Sequence, residues 1–303
     1  MNRIGVVIPK GEDELCGFVQ ICDRRFERTL DRIVRKVART PDLKLIGLTG
    51  PTCAGKTTAA NKLTDYLEHH GHRVHVISID DFYFDKEYLN RRAEEDPEIE
   101  IDYDSESTID VELLSEKAES LLSGQPTELP KFDFQTGTRV RGETIDPQPE
   151  DVFLFEGIQT LYPRVNQILC RASYQSIYIC PASELEIDGQ VFVPNELRLM
   201  RRLVRDYYRR ASKPDFTFYL WESVRANEEK NIFPNAHRCH EFIDSTMAYE
   251  VGMLKPHLQR ILAEVSEDSS YYGAAQQIIK KIARVRTVPS EYMTANSLYK
   301  EFI

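Results

Sequence analysis

Eight consecutive residues, Gly50-Pro51-Thr52-Cys53-Ala54-Gly55-Lys56-Thr57, have the spacing GxxxxGK[ST] of a phosphate-binding loop. Glycines at its two ends let the backbone curl until successive N–H groups face an anion, and a helix starting at the lysine adds the positive end of its dipole. In that arrangement Lys56 reaches the β- and γ-phosphates of a nucleotide, Thr57 holds Mg²⁺, and the run Gly50 to Thr58 forms the cradle. Cys53 has no evident contact to make with phosphate. It reads as a tolerated small side chain, a redox role for the thiol being the alternative.

A phosphate loop alone does not separate kinases from ATPases or switch GTPases, so other residues must decide. The guanine-reading NKxD pattern is missing: Asn61-Lys62-Leu63-Thr64 falls inside the helix that follows the loop, where it cannot face a base. Asp80, Asp81, Phe82 and Tyr83 follow an apolar run instead, at the strand end where ligand chemistry occurs in a doubly wound sheet. Asp80 is the candidate general base, since an acceptor hydroxyl must be aimed at phosphorus and must lose its proton. The alternative is a turn-forming or capping aspartate. Glu156 closes a second apolar run and precedes Gly157, a place from which a carboxylate can hold Mg²⁺ or its waters, or merely cap the strand.

Arginines crowd one later stretch of this acidic chain: Arg198, Arg201, Arg202, Arg205, Arg209 and Arg210. The first four are spaced by three and four residues and share one helical face. Such a face can clamp a transferring phosphoryl group and spread its charge, or it can be a salt-bridged surface.

The elements that must position these residues are legible in outline. Leu45 to Thr49 is a short apolar strand before the loop; Ala59, Ala60, Leu63 and Leu67 line the helix after it, which Gly71 ends. Arg73 to Ile79, Val152 to Phe155 and Ser176 to Cys180 are further apolar strands of the kind buried in parallel sheets. Strands separated by helical segments predict a three-layer α/β fold, a P-loop NTPase with a mainly parallel sheet. The polar stretch at about 84–150 reads as a substrate-covering insertion rather than sheet, about 195–215 as an arginine-rich lid helix, and 251–265 and 272–283 as C-terminal helices followed by a short amphipathic tail. Residues 1–22 give no clear period. Phe26, Leu30, Ile33, Val34 and Val37 predict an amphipathic helix within an N-terminal segment 1–40 packed on the kinase domain 41–303.

With 303 residues, 41% of them hydrophobic, the chain can bury a full core. Its net charge of −10 repels polyanions, so no nucleic-acid or anionic-membrane partner is expected and phosphate binding must be local. Six cysteines without CxxC or zinc spacing, no signal sequence and no apolar run long enough to span a bilayer suggest a reduced, cytoplasmic protein.

With these residues in view, the chain resembles the uridine kinase and phosphoribulokinase family from about Arg25 onward, in particular the kinase portion of bacterial uridine kinase-like proteins that often carry an extra TGS domain, which is not expected here. The matching segments beyond the loop are Ile77 to Tyr83, Tyr103-Asp104 through Asp110, Leu129 to Phe134, Leu154 to Ile158, Arg198 to Arg202, Glu228 to Pro234 and Asn296 to Ile303. The resemblance implies that Asp80 is the catalytic aspartate, that Thr57 and Glu156 stand on the magnesium side with Asp80 beside them, that Asp104 holds ribose hydroxyls, and that Arg198 and Arg201 are lid arginines. It also puts Tyr83 by the acceptor and Phe132 at a base-stacking position. Gly137 stands where uridine kinases place a base-reading histidine, which leaves base selectivity loose or supplied by a residue such as Arg139. ATP and Mg²⁺ are the implied cofactors, and a small nucleoside-like acceptor is the implied partner, with room for a homo-oligomer. A kinase for another polyol or sugar phosphate and a regulatory ATPase without an acceptor are the competing readings. A regulatory switch has no need of a base, an acceptor anchor and an arginine lid together.

Overall fold

Alternation along three buried strands organises the molecule. The structure is a computed structural model that describes residues 2–95 and 105–303. Its strands are β1 (Arg3–Val6), β2 (Leu45–Thr49), β3 (Arg73–Ser78), β4 (Thr127–Asp133), β5 (Thr138–Ile145), β6 (Asp151–Glu156), β7 (Tyr174–Cys180), β8 (Glu184–Ile187), β9 (Gln190–Phe192) and β10 (Glu241–Asp244). The helices are α1 (Glu12–Val37), α2 (Lys56–His69), α3 (Lys86–Glu95), α4 (Val111–Leu122), α5 (Pro163–Leu169), α6 (Pro194–Arg210), α7 (Pro214–Asn227), α8 (Phe233–Ala236), α9 (Glu250–Leu262) and α10 (Tyr272–Ile282). Five strands form an all-parallel sheet in the order β10-β7-β2-β6-β3. Successive side chains of a strand point to opposite faces. Ile46, Leu48, Val152, Leu154, Ile177 and Ile179 therefore join a core built with α1, α2, α6 and α9. Leu45, Phe153, Phe155, Tyr174 and Tyr178 join a second core with α4 and α5. The result is the three-layer α/β architecture expected from the sequence.

Register brings the carboxyl ends together. Leu48 and Ser78 both pair with Glu156, so the segments leaving β2, β3 and β6 emerge side by side at one edge of the sheet. There they become the phosphate loop, a 3₁₀ turn Ile79–Phe82, and Gly157.

Three stretches differ from the sequence reading. The insertion is not devoid of sheet: β4 and β5 form an antiparallel hairpin, with a register shift at Glu128/Pro130 where a ladder N–H is missing. At the amino end, β1 pairs with β8 and α1 begins at Glu12, giving one helix of 26 residues. Its apolar period was masked by Asp23, buried within the apolar face and satisfied by the Tyr249 hydroxyl at 2.5 Å and the Thr294 N–H at 2.9 Å. Finally, β10 completes the sheet although its four residues begin and end with acids. The C-terminal helices fall where expected, and the tail turn Leu298–Glu301 carries Leu298 and Tyr299, both fully buried. Among the described residues no helix is long and apolar enough to cross a membrane.

Candidate functional site

The loop Gly50 to Thr57 joins β2 to the first turn of α2. Cys53 and Gly55 both take the left-handed conformation, at φ 56° and 100°. Gly55 also lies so near the tail that a Cβ would stand 2.4 Å from Leu298 Cδ1, which glycine alone avoids. The Cys53 side chain is buried in the core beside α2, a packing role that accounts for its small size. Lys56 Nζ donates to the Gly50 and Pro51 carbonyls at 2.9 and 3.1 Å, reaching across the loop. Burial pushes its ammonium down, opposed by the carboxylates of Glu156, Glu301 and Asp80. Thr57 is exposed, and the Thr58 hydroxyl donates to Glu301 at 3.2 Å.

Asp80 and Glu156 converge on this lysine from the neighbouring strand ends. Burial raises the Asp80 carboxyl above the usual range, countered by a hydrogen bond from Gln159 and by Lys56. Burial likewise raises Glu156, countered by Lys56 and by the Ser78 hydroxyl, which donates at 2.9 Å. Among the described residues no group of three or more His, Cys, Asp or Glu could hold a metal unaided. The oxygens of Thr57, Asp80 and Glu156 are hard donors, few in number, and fit Mg²⁺ that shares its coordination with phosphates.

Beside the turn that carries Asp80, Tyr83, Phe132 and Phe134 meet edge to face, with ring centroids 5.1 to 6.4 Å apart. Asp81 anchors this wall by accepting from the Phe132 N–H and from Lys131 Nζ, each at 3.0 Å. Arg139 is committed to Asp110 at 2.9 Å. Gly137 closes the β4–β5 hairpin at φ 71°, where a Cβ would lie 2.7 Å from Lys86 Cδ. A side chain at that position would be strained and would press on Lys86. Asp104 lies outside the described residues.

The arginine helix departs most from the free clamp expected. Arg198 and Arg201 are 1% and 0% exposed. Arg198 pairs with both oxygens of Glu228 at 2.6 and 2.7 Å. All five donors of Arg201 are taken, by Glu250, Tyr299, Ser245 and the Cys53 carbonyl. Both touch the loop only through backbone oxygens, Arg198 at Thr52 and Arg201 at Cys53, each at 3.3 Å. They brace the loop. Further along α6, Arg205 bonds Asp206 at 2.9 and 2.7 Å and is 13% exposed, whereas Arg210 is 60% exposed and its charge acts on Asp80.

Four residues of the site escaped sequence reasoning. Gln159 bonds Asp80 and Tyr83, Asp81 anchors the wall, Glu228 accepts from the Thr52 N–H at 3.3 Å, and Glu301 meets Thr58. Asp81 stands next to Asp80, and Glu228 and Glu301 lie in segments already matched to the family, but the partners of these two and of Gln159 are reached through chain crossings that no spacing announces.

The sequence model described as "Phosphoribulokinase / Uridine kinase family" matches residues 45–251. A uridine kinase of Staphylococcus aureus (strain JH9) is 32% identical over 180 residues, which cover 59% of this chain and 76% of that protein. Among solved structures, the YGR205w protein aligns with a TM-score of 0.50 at 17% identity, covering 72% of this chain and 89% of that one. Phosphoribulokinase from Rhodobacter spheroides gives 0.43 at 13% identity, over 65% of this chain and 68% of that one.

Proposed function

Because this chain belongs to the phosphoribulokinase / uridine kinase family, and so is a phosphotransferase acting on an alcohol group of a small molecule, we propose that it transfers the γ-phosphoryl group of ATP to the 5′-hydroxyl of a ribonucleoside. The observation that carries the reading is the convergence at one sheet edge of a nucleotide loop, a half-buried carboxylate and an aromatic wall: Lys56, Asp80, and Tyr83 with Phe132. A flat base can stack on the wall while the sugar hydroxyl turns toward Asp80. Asp80 accepts the hydroxyl proton as the new P–O bond forms and the bond to the ADP oxygen breaks. Thr57 and Glu156, with Asp80 beside them, would hold Mg²⁺, which when bound neutralises phosphate charge. Arg210, with a side chain 60% exposed at the end of α6, supplies positive charge to the site, since Arg198 and Arg201 are buried against Glu228 and Glu250. Asp104 is assigned the ribose hydroxyls.

Uridine is the first candidate because the S. aureus relative is named a uridine kinase. One observation favours the polyol or sugar-phosphate reading as a second choice: Gly137 has no side chain and Arg139 is ion-paired, so no described side chain at those two positions is free to read a base edge. The test is acceptor-dependent ADP release over a panel of nucleosides, sugars and sugar phosphates. Ribonucleosides should stimulate it, with discrimination against the 2′-deoxy analogue exceeding that among bases. Stimulation by a polyol or sugar phosphate alone would refute the nucleoside assignment, and ADP release indifferent to every acceptor would favour the regulatory ATPase.

A further inference from the structure

Gln159 has no part in the reaction as derived so far, yet it stands at the centre of the site with 1% of its surface exposed. Its Nε2 donates to Asp80 Oδ1 at 2.7 Å and to the Tyr83 hydroxyl at 2.9 Å. An ionised carboxylate only accepts, so the nitrogen, not the oxygen, must face Asp80. The other end of the amide is anomalous: Oε1 is buried and has no hydrogen-bond partner. A buried carbonyl left unpaired lowers stability, and Ile158 and Leu161 in the same turn show that apolar side chains suit it. The backbone gives way to the amide as well. A Cβ on Gly157 would stand 2.6 Å from Oε1 and 3.1 Å from Ile79 Cβ, so glycine leaves the space that the carbonyl fills. What the molecule gains for an orphan oxygen is one nitrogen that ties the carboxylate to the aromatic wall.

We propose that Gln159 is a positioning residue for phosphoryl transfer, its amide nitrogen holding the Asp80 carboxylate and the Tyr83 hydroxyl in one fixed relation, so that the base is aimed by the same bonds that seat the acceptor's wall. The inference rests on the reading of Asp80 as the base. Asp80 sits on a short 3₁₀ turn and feels the attraction of Lys56. Without Gln159 its carboxylate is free to rotate toward that ammonium, which withdraws the base from the acceptor. Catalytic groups must be held to within about half an ångström of their working geometry, so loss of this aim appears in kcat and not in nucleotide binding.

Gln159→Met tests it, since methionine keeps the volume and removes both the donor and the orphan oxygen. The melting temperature should stay level or rise and KM for ATP should change less than about twofold, while kcat falls about 10- to 100-fold. Gln159→Glu, which has the same shape but no N–H to offer a carboxylate, should lose as much; it is read by the same criteria if the methionine variant does not fold. Because Gln159 acts through Asp80, adding Gln159→Met to Asp80→Asn should lower kcat by no more than about twofold further. A lowered melting temperature with wild-type kcat, or losses that multiply in the double variant, would make Gln159 merely structural and overturn the proposal. Wild-type turnover by Asp80→Asn alone overturns the base assignment and the positioning role together, whereas a disabled Asp80→Asn beside fully active Gln159 variants overturns the positioning role only.

Discussion

Replacing Arg201 by methionine should weaken the fold before it slows the reaction. The guanidinium is fully buried, pairs with an equally buried Glu250 at 2.9 Å, and lies 5.2 and 5.4 Å from the ring centroids of Tyr299 and Phe302. Methionine fills the space but strands Glu250 without its counter-charge. Breaking a buried pair in this way costs about 3–5 kcal/mol. Glu250 retains the Met247 N–H at 2.9 Å and the Tyr299 hydroxyl, so the lower end applies. About 3 kcal/mol corresponds to a melting temperature lower by roughly 5 °C in a chain of this size. Replacing Glu250 by leucine in the same protein should recover most of the loss, because an apolar pair of similar volume removes the desolvated charge. Arg210→Gln is the contrast: its side chain is 60% exposed, so stability should hold while kcat falls by about 10-fold or more. Thermal melts by circular dichroism and coupled ADP release well below the transition measure both. If Arg201→Met melted like the parent and lost ~10² or more in kcat, the guanidinium would be reaching the phosphoryl group, and the bracing role would be refuted.

Lys56→Ala should remove nearly all phosphoryl transfer without lowering the melting temperature by more than about 2 °C, since the ammonium bonds only loop carbonyls; turnover near the parent's would sink the nucleotide-loop assignment. Asp80→Asn should lower kcat by ~10² or more with a smaller change in KM for ATP, and a collapse of ATP binding with normal kcat would make Asp80 a nucleotide ligand. Asp151 is held at about 2: burial works to raise it, but the Arg73 guanidinium, the Gln148 N–H and His75 together bring it below the usual 3.8. A carboxyl depressed in the folded state stabilises above its unfolded value and loses that contribution as pH falls, here about 2 kcal/mol between about pH 4 and pH 2. Urea unfolding of Asp151→Asn should show lower stability at neutral pH and a flatter acid limb; an acid limb as steep as the parent's would rule Asp151 out as its source.

What the sequence displays well is what local chemistry decides. The phosphate loop needs glycines and a helix start within a few residues, and the flanking apolar run of β2 is buried end to end. Asp80 and Glu156 are visible because a parallel sheet puts the residues that end or closely follow each strand at the ligand edge. What stays hidden depends on residues far apart in the chain. Helical spacing groups Arg198, Arg201, Arg202 and Arg205 on one face but carries no sign for inward or outward. The inward choice is made by Glu228 and Glu250, which lie beyond α6 in the chain and meet Arg198 and Arg201 only after folding. Gly137 carries a similar ambiguity: as a letter it is a missing side chain at a recognition position, and in the hairpin it is the residue a left-handed turn beside Lys86 requires.

The burial of two arginines against the loop also bears on how the site works. A phosphate loop must aim its N–H groups inward, which turns carbonyls the other way into protein where they need donors. Arg198 supplies one to Thr52 and Arg201 one to Cys53, while Glu228 accepts from the Thr52 N–H and so holds the preceding peptide of the same residue. Glu250 and Tyr299, on α9 and the tail turn, hold Arg201 in turn. Helix α6 therefore divides its charges by depth. The buried pair braces the loop from below, Arg205 is held by Asp206, and Arg210 alone of these four has a side chain more than half exposed. Donors oriented in advance need no reorganisation when the phosphoryl group transfers, so a substitution at Glu228 should disturb the loop, and with it ATP affinity, without touching a reacting atom.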